Sequence, residues 1–518
     1  MNRTRAPYPS PSPAPSRIGA NTLTLRHLGI DTYGEAVIYM RSECPVCRSV
    51  GLSAQSRVRV TLGDRSLVAT LNMVTGPLLG EHEAGLSEVA WRALDAKPGD
   101  VVAISNPPPV SSLGHVRAKA YGHALGDQAF HDIIREVVSG LYSDIQISAF
   151  LTACVGDHMS FAEVAALTRA MVDVGEQVDW ARGDIFDKHC VGGLPGNRTT
   201  LIVVPIIAAA GLTIPKTSSR AITSPAGTAD TMEMLAPVEL DRAAMRRVVD
   251  REGGCIIWGG AARLSPADDV LIRVERPLNL DSEGQLVASI LSKKKAAGST
   301  HVVIDMPVGP TAKLRTAEAA QRLRALLEGV GEAMGLRVRV LETDGLQPVG
   351  RGIGPALEAR DVLAVLQGSP DAPQDLRERA SMLAGAVLEM AMLAAAGQGA
   401  ALASSILADG RAAHKFEALC SAQGGRRTPP TARHSQPVTA MRSGIVTAID
   451  NRRLARVAKL AGAPQSPAAG VDYLAPLGKR VERGEPLYVV CAQQPGELGY
   501  ALEYLNGQPN IVEISDLP

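Results

Sequence analysis

Two short turns rich in glycine and hydroxyl side chains, about thirty residues apart, constrain the folding of this chain more than any other feature. The first turn, residues 188–193 (KHCVGG), places a cation and an imidazole before paired glycines, and the second spans residues 217–228 around Gly227. Glycines let backbone N–H groups approach an oxyanion, while cations, hydroxyl groups and a following helix N-terminus stabilise its charge. The pattern therefore predicts a phosphate cradle. Two plain glycine turns are the alternative, because neither loop is a Walker or dinucleotide fingerprint.

The composition argues against several kinds of partner. Lys+Arg and Asp+Glu both number 53, so no net field draws the chain to nucleic acid or to an anionic membrane. Aromatic residues make up only 3%, which also argues against platforms for base stacking. The seven cysteines are an odd, scattered set and no run of 18 or more apolar residues occurs, so we expect a soluble, reduced, cytoplasmic protein.

Cys44 and Cys47 form a lone CxxC pattern. Zinc sites of this kind normally need a second pair of ligands at a similar spacing, and none accompanies this one. A metal or redox role is therefore the weaker interpretation, and no metal site is predicted.

Hydrophobic patterning indicates an α/β multidomain fold. Period-2 alternation, with a hairpin around Gly63-Asp64, predicts an N-terminal β-rich module, and a capping box at Ser160 and Glu163 predicts a helix of a helical lobe. Alternating strands and helices then predict an α/β lobe that carries the cradle. The predicted boundaries are a disordered tail at 1–21, the β-rich module at 22–105, the helical lobe at 106–180, the α/β lobe with additional helices at 181–420, a linker at 421–437, and a C-terminal α+β domain, hammerhead-like at residues 476–487, at 438–518.

A further polar cluster follows the cradle. Ser289 and Lys293 stand four residues apart, so on a helix they share one face, and Asp281 lies nearby in the sequence. These side chains would form a polar wall of a cleft between two lobes. The alternative is a solvated lysine run at a helix C-terminus, where cations are favoured.

The two turns resemble the signature segments of the thymidine phosphorylase/AMP phosphorylase family, KHS-x-GG and S-[GS]-R…GT-x-D-x-x-E. Residues 218–233 read SSRAITSPAGTADTME, and the resemblance extends over roughly residues 22–510. It implies a pentosyltransferase that splits thymidine with phosphate into thymine and 2-deoxyribose 1-phosphate. It also implies inorganic phosphate as co-substrate, no metal or organic cofactor, a nucleoside or nucleotide as the ligand, and a homodimer or higher homo-oligomer.

The resemblance also implies roles for single residues. His189 matches the family's active-site histidine, and Asp281 matches a proposed proton donor. The implied phosphate site comprises Lys188, Cys190 (serine in most members), Gly192, Gly193, Thr200 (in place of a serine), Ser218 and Thr228. The implied substrate contacts are Gly193, Ser219, Arg220, Ala221, Ile222, Thr223, Ser224, Thr228, Ser289, Lys293, Lys313, and either Arg273 or Arg276, which compete for one position.

Three alternatives stay open at this stage. The N-terminal module and the longer loop at residues 195–198 are similar to AMP phosphorylases, which would yield a base and ribose 1,5-bisphosphate. An anthranilate-type phosphoribosyltransferase would need magnesium ligands, for which Asp268 and Asp269 are candidates. Cys190 motivates a third interpretation, a nucleotide-binding protein without catalysis.

Overall fold

The fold is built from two compact units. A computed structural model describes residues 21–221, 224–261, 264–278, 280, 282–508 and 510–516. Within these ranges one unit comprises residues 21–116 with 135–149, and the other comprises residues 117–134 with 150–516. The tail predicted for residues 1–21 lies, except for Asn21, outside the described residues, and so do three predicted site residues: Ile222, Thr223 and Asp281.

Six strands close a barrel near the N-terminus, in the order β1-β5-β2-β4-β3-β6. The strands are β1 (Thr22–Ile30), β2 (Val37–Arg41), β3 (Arg57–Leu62), β4 (Arg65–Val74), β5 (Glu83–Ser87) and β6 (Val101–Ser105), with helices α1 (Pro45–Val50) and α2 (Glu88–Leu94). Alternation in β3 turns Val58 and Val60 into the barrel, where both are fully buried. The predicted hairpin is confirmed, because β3 and β4 pair antiparallel up to Leu62 and Arg65 on either side of a two-residue turn.

The CxxC pattern belongs to the core of this barrel. The Cys44 sulfur accepts a hydrogen bond from the Cys47 backbone N–H at 3.2 Å and so caps α1, and both thiols are buried. Burial, together with the neighbouring Cys44, raises the pKa of Cys47 to about 12. The two cysteines therefore contribute apolar packing and a helix cap.

Four helices and a 3₁₀ turn follow the barrel in sequence. They are α3 (Leu113–Ala120), α4 (Asp127–Val138), α5 (Asp144–Ala153), the turn Gly156–His158 and α6 (Phe161–Asp173). The predicted capping box is confirmed: the Ser160 hydroxyl accepts from the Glu163 N–H at 3.3 Å, and the Ser160 N–H donates to the Glu163 carboxylate at 3.0 Å. The buried Glu163 carboxylate also accepts from Lys119 Nζ at 2.5 Å and from the Leu125 N–H at 2.9 Å. It therefore fixes the start of α6 to two other segments of the chain.

Parallel strands form the centre of the larger unit. Strand β10 lies between β7 and β11, β8 pairs with β9, and a bridge between Ile185 and Thr213 joins the two sheets. The carboxyl ends of parallel strands meet at one edge, so the two predicted cradle turns, after β7 and β8, lie at the same edge. The elements are β7 (Phe186–Cys190), α7 (Thr200–Ala209), β8 (Ile214–Ser218), α8 (Thr228–Glu233), α9 (Arg242–Glu252), β9 (Gly254–Trp258), α10 (Pro266–Leu278), α11 (Glu283–Ala296), β10 (His301–Val308), α12 (Ala317–Ala333) and β11 (Arg337–Asp344).

Helix α7 is the centre of the largest hydrophobic core. Its residues from Thr200 to Ala208 are all buried, as expected for a helix that is apolar on every face. It packs among α13 (Pro355–Leu366), α14 (Gln374–Met390), α15 (Gly399–Ala408) and α16 (Arg411–Ala422). The helix that carries the predicted ligand Thr200 is thus held rigidly on all sides.

The C-terminal part consists of two small sheets and two helices. Their elements are β12 (Gly352–Ile353), β13 (His434–Thr439), β14 (Gly444–Ile449), α17 (Asn451–Leu460), β15 (Gly470–Tyr473), β16 (Arg480–Val481), β17 (Pro486–Ala492), α18 (Pro495–Asn506) and β18 (Val512–Ser515). The sheet orders are β12-β15-β17-β13 and β16-β14-β18. The chain is therefore a multidomain α/β protein. Among the described residues, no helix is both long and apolar enough to span a bilayer.

The capping carboxylate generates a stability prediction. Burial by itself would raise the pKa of Glu163, but hydrogen bonds from Lys119 and two backbone N–H groups lower it. Glu163→Gln removes the charge that faces buried Lys119, so we expect the free energy of opening α6 to fall by about 3–5 kcal/mol. Hydrogen exchange of the α6 amides measures this free energy. Because the folded-state pKa is lowered, the contribution is present above about pH 4.5 and is lost as the pH falls through the folded pKa.

Glu176→Gln is the control for this substitution. Glu176 pairs with Arg242 at 2.6 Å, but both side chains are more than half exposed, so its loss should cost less than about 1 kcal/mol. Equal protection of α6 in Glu163→Gln and in the unchanged protein would contradict the assigned role of the buried pair.

Candidate active site

The residue that opens the first turn is completely buried. Lys188, on β7, donates from Nζ to the Thr199 hydroxyl at 2.7 Å and lies 3.7 Å from the Asp305 carboxylate on β10. Asp305 accepts further hydrogen bonds from Asn197 Nδ2 at 2.8 Å and from the Thr343 hydroxyl at 2.7 Å. The first loop, residues 191–199, is thereby fixed by a carboxylate on the neighbouring strand.

A second buried carboxylate lies beside Lys188. Asp187 accepts from Lys294 Nζ on α11 at 2.7 Å and lies 3.7 Å from Lys216 Nζ on β8, and all three side chains are buried. We call Lys188, Lys216, Lys294, Asp187 and Asp305 the lysine cluster. Among the residues that the structure describes, its three lysines pair with two carboxylates. A buried cation without full compensation is costly and favours either loss of its proton or binding of an anion.

The shortage of negative charge is reflected in one of the lysines. Burial lowers the pKa of Lys216 well below its ordinary value; attraction from Asp187 opposes this, and repulsion from Lys294 and Lys188 adds to it. An anion bound against the cluster would supply the missing negative charge and keep Lys216 protonated. The cluster therefore has the electrostatic character of an anion site that the protein's own carboxylates do not saturate.

His189 lies next to this cluster on β7 and is partly exposed. Burial lowers its pKa well below the ordinary value, and the charges of Lys294, Lys216, Lys293 and Lys188 lower it further. The imidazole is consequently neutral at physiological pH. In that state one ring nitrogen can donate a hydrogen bond from its N–H, but the ring lacks the second proton that an imidazolium could transfer.

Cys190 accepts hydrogen bonds from its own loop. Its sulfur receives the Gly192 N–H and Asn197 Nδ2, both at 3.4 Å. Burial and then the Asp305 charge raise the pKa of the Cys190 thiol to about 12, so it stays protonated. The thiol thus organises the glycine turn and leaves fewer backbone donors in the loop directed outward.

Close contact requires glycine at the end of this turn. Gly193 has a φ of +85°, and a Cβ there would lie 2.4 Å from the backbone nitrogen of Lys313. The predicted nucleotide contact Lys313 therefore belongs to a loop that presses directly on the predicted phosphate loop. Gly192 also has a positive φ, of 91°.

The second loop, residues 219–227, is held by carboxylates of its own motif. Asp230 accepts from the Ala221 and Gly227 N–H groups at 2.7 and 2.8 Å, which fastens the two ends of the loop together. Arg220 bonds to Asp230, to Glu233 at 2.6 Å and to Glu239 at 2.9 Å, and its guanidinium lies 4.9 Å from the Trp258 ring centre. The guanidinium thus stabilises the loop that carries it, and a contact between Arg220 and substrate stays a prediction.

The remaining cradle residues occupy different environments. Ser218 ends β8, and its buried hydroxyl has no hydrogen-bond partner among the described residues. Thr228 accepts from Arg198 at 3.5 Å, and Ser224 donates to the Ala226 carbonyl at 2.8 Å. Ser219 is exposed, whereas Thr200 is buried at the start of α7. The unpartnered Ser218 hydroxyl therefore has spare hydrogen-bonding capacity at the end of β8.

The predicted neighbourhood of Ser289 and Lys293 is present on α11, whereas their role as a wall of a cleft stays a prediction. Lys293 Nζ contacts the Ser289 hydroxyl at 3.0 Å and the Asp268 carboxylate on α10 at 2.7 Å, so the two predicted residues do share a face. On α10, Arg273 is partly buried and Arg276 is exposed, which favours Arg273 for the contested position. The roles assigned to all four residues stay predictions, as does that of Asp281.

Sequence reasoning missed most of the residues that support the site. Asp187 stands directly before Lys188, and Lys294 lies within the lysine run. Both therefore lie in or beside segments that the sequence singles out, but nothing in the sequence distinguishes them from their neighbours as site residues. Asp305 reaches Lys188 through the parallel pairing of β10 with β7, which links residues more than 100 positions apart. Lys216 reaches Asp187 from β8, whose sheet is joined by a β-bridge to the sheet of β7. Only the fold reveals these partners.

Comparisons with known proteins show the family to which the chain belongs. Two family models match, described as "Glycosyl transferase family, helical bundle domain" over residues 115–175 and "Glycosyl transferase family, a/b domain" over residues 182–413. A protein of Polaromonas sp. (strain JS666 / ATCC BAA-500), named "Putative thymidine phosphorylase", is 63% identical over 96% of this chain and 98% of its own length. A protein of the same name from Legionella pneumophila (strain Paris) is 57% identical over 97% of both chains. The chain belongs to the thymidine phosphorylase family.

One solved structure is similar in fold to part of this chain. The crystal structure of anthranilate phosphoribosyltransferase from Thermus thermophilus is similar with a TM-score of 0.50 and 21% identity, over 60% of this chain and 98% of that one. At this identity the similarity concerns the fold alone. In this chain, Asp268, one of the candidate magnesium ligands, is buried and pairs with Lys293. This arrangement disfavours metal binding at Asp268.

The pKa of His189 provides a test of the site's electrostatics. Lys293→Gln removes one of the cations that disfavour the imidazolium, so we expect the pKa of His189 to rise and the ring to protonate at higher pH. Proton NMR titration of the histidine rings measures the shift, and His189→Gln identifies the resonance.

Lys415→Gln is the matched control. Lys415 pairs with Glu252 at 3.1 Å and is 24% exposed, close to the 22% of Lys293, but it is not among the cations that lower the pKa of His189. An unchanged His189 midpoint in Lys293→Gln would show that Lys293 does not act on this ring.

Proposed function

We propose that this protein cleaves the N-glycosidic bond of thymidine with inorganic phosphate, yielding thymine and 2-deoxyribose 1-phosphate. The observation that carries the proposal is the lysine cluster, in which three buried lysines share two carboxylates and Lys188 stands on the strand that leads into the glycine turn. Phosphate dianion is the ligand that such an imbalance favours, and the unpartnered Ser218 hydroxyl is available to it. The names of the relatives support thymidine as the nucleoside.

The chemistry requires positioning more than covalent participation by the protein. A phosphate oxygen bonds to C1′ of the sugar while the bond from C1′ to the base nitrogen breaks. The electron pair leaves with the base, and the proton of monohydrogen phosphate ends on that base, so atoms and charge balance. Phosphate also stabilises the developing positive charge on the sugar, and the fixed lysines hold it in place.

The departing base needs hydrogen-bond donors as its negative charge develops. Neutral His189 supplies an N–H donor without transferring a full proton, which fits its lowered pKa. Lys293 and Ser289 bond to each other and form a polar pair suited to the carbonyl and N–H groups of a pyrimidine. We assign Asp281 as a proton donor only through the family resemblance.

A nucleoside 5′-monophosphate, with AMP as the example, is the second candidate substrate. The contact of Lys313 with Gly193 favours it, because this places a cation-bearing loop directly beside the phosphate loop. The engagement of Arg220 by Asp230, Glu233 and Glu239 counts against it, since the guanidinium is already bonded to three carboxylates and is less available to a 5′-phosphate.

Release of free base decides between these substrates. We expect thymine from thymidine only when phosphate is present, measured by chromatography alongside uridine, AMP and CMP. Adenine from AMP without thymine from thymidine would move the protein to the nucleotide substrate. Binding of nucleotides without release of any base would contradict catalysis.

The Ser218 hydroxyl gives a second test. Ser218→Ala should raise KM for phosphate, with a loss in kcat/KM of about tenfold or more, consistent with about 1.5–3 kcal/mol for one hydrogen bond to a charged group. Ser381→Ala is the matched control, because its hydroxyl is also buried without a partner among the described residues but lies on α14. A change of the same size in both variants would remove Ser218 from the phosphate site.

A further inference from the structure

Three segments lie at the carboxyl edge of the sheet formed by β7, β10 and β11; the second loop, which follows β8, is not one of them. The first loop follows β7, the third loop, residues 309–314, follows β10, and Gly345 follows β11. The third loop is closed by hydrogen bonds from the Gly309 N–H to the Leu314 carbonyl at 2.9 Å and from the Ala312 N–H to the Gly309 carbonyl at 3.0 Å. It is therefore a compact turn with a defined shape.

Backbone packs against backbone on both sides of this turn. On one side, a Cβ at Gly193 would lie 2.4 Å from the Lys313 nitrogen. On the other side, a Cβ at Gly309 would lie 2.4 Å from the Gly345 carbonyl oxygen, and a Cβ at Gly345 would lie 3.0 Å from the Ala312 Cβ. The contacts involve backbone atoms and the first side-chain carbons of Lys313 and Ala312, which are fixed to the backbone, so we expect a shift of the third loop to displace the glycine turn of the first loop as well.

The third loop is held from behind by the C-terminal part of the chain. Asn451, the first residue of α17, is completely buried, and its Nδ2 donates to the Thr311 hydroxyl at 3.0 Å and to the Gly345 carbonyl at 3.1 Å. The Asn451 N–H also donates to the Thr311 hydroxyl at 3.2 Å, and that hydroxyl donates to the Ile449 carbonyl at 3.3 Å. Arg452 adds a hydrogen bond to the Ala312 carbonyl at 3.1 Å.

The amide of Asn451 connects two of the three segments. The Gly345 carbonyl can only accept a hydrogen bond, so it requires the nitrogen side of the amide and fixes the orientation of the side chain. One NH₂ group thus connects the turn after β10 to the turn after β11, and the first of these turns touches Gly193.

We propose that Asn451 is a positioning residue for phosphate binding. It holds the third loop against Gly193 and thereby fixes the glycine turn that follows Lys188, His189 and Cys190. The C-terminal part of the chain thus contributes to the phosphate site although it supplies no residue of the lysine cluster. This inference rests on the proposed function, because it takes phosphate to be the ligand of the first loop.

Asn451→Asp is the direct test. The substitution keeps the shape but places a carboxylate oxygen against the Gly345 carbonyl, where the two repel each other. We expect the Kd for inorganic phosphate, measured by calorimetry on the full chain, to rise about tenfold or more, and kcat/KM to fall about 10–100-fold, mainly through KM for phosphate. Asn506→Asp is the control, since Asn506 is exposed on α18 of the same region and should bind phosphate as the unchanged protein does.

A second pair of variants keeps the test valid if Asn451→Asp folds poorly. Thr311→Ser preserves the hydroxyl that joins Asn451 to the third loop and should retain phosphate affinity, whereas Thr311→Val should lose it. Unchanged phosphate affinity in Asn451→Asp or Thr311→Val would overturn the inference. A parent protein that binds phosphate but releases no base would contradict the proposed function instead, and the comparison of phosphate affinities would still stand.

Discussion

The buried lysine cluster is the constraint on which the rest of the site depends. Burying Lys188, Lys216 and Lys294 is unfavourable unless negative charge accompanies them, and Asp187 and Asp305 supply only part of it. Burial lowers the pKa of the neighbouring His189, and the incompletely compensated lysines lower it further and prepare the site for an anion. The same electrostatic imbalance therefore underlies the affinity expected for phosphate and adds to the effect of burial that keeps the imidazole neutral.

Much of the fold and some of the site could be predicted from local sequence. The hairpin at Gly63-Asp64, the capping box at Ser160 and the shared face of Ser289 and Lys293 depend on residues a few positions apart, and the structure confirms them. The lysine run shows where local reasoning ends. Successive residues of a helix are rotated by about 100° from one another, so Lys293 contacts Asp268 whereas Lys294 is buried against Asp187.

The partners that could not be predicted are those brought together by distant segments. Asp305 meets Lys188 because β7 and β10 pair in parallel, and no periodicity in the sequence encodes that register. No role for Asp230 and Glu233 is predicted from the sequence, and the structure shows that they hold Arg220 and that Asp230 also joins the loop ends. The sequence motif therefore identifies the segment, but only the structure shows which of its residues hold the loop in place.

Cys190 shows how the site accommodates a departure from the family pattern. A serine hydroxyl would donate to phosphate, whereas the protonated thiol accepts the Gly192 N–H and the Asn197 amide. The first loop therefore offers an anion fewer donors of its own, and under the proposed function we expect phosphate affinity to come from the lysines, from Ser218 and from an accurately held glycine turn. Under this condition, the packing of Lys313 on Gly193 becomes more important, because little direct hydrogen bonding remains to correct a misplaced loop.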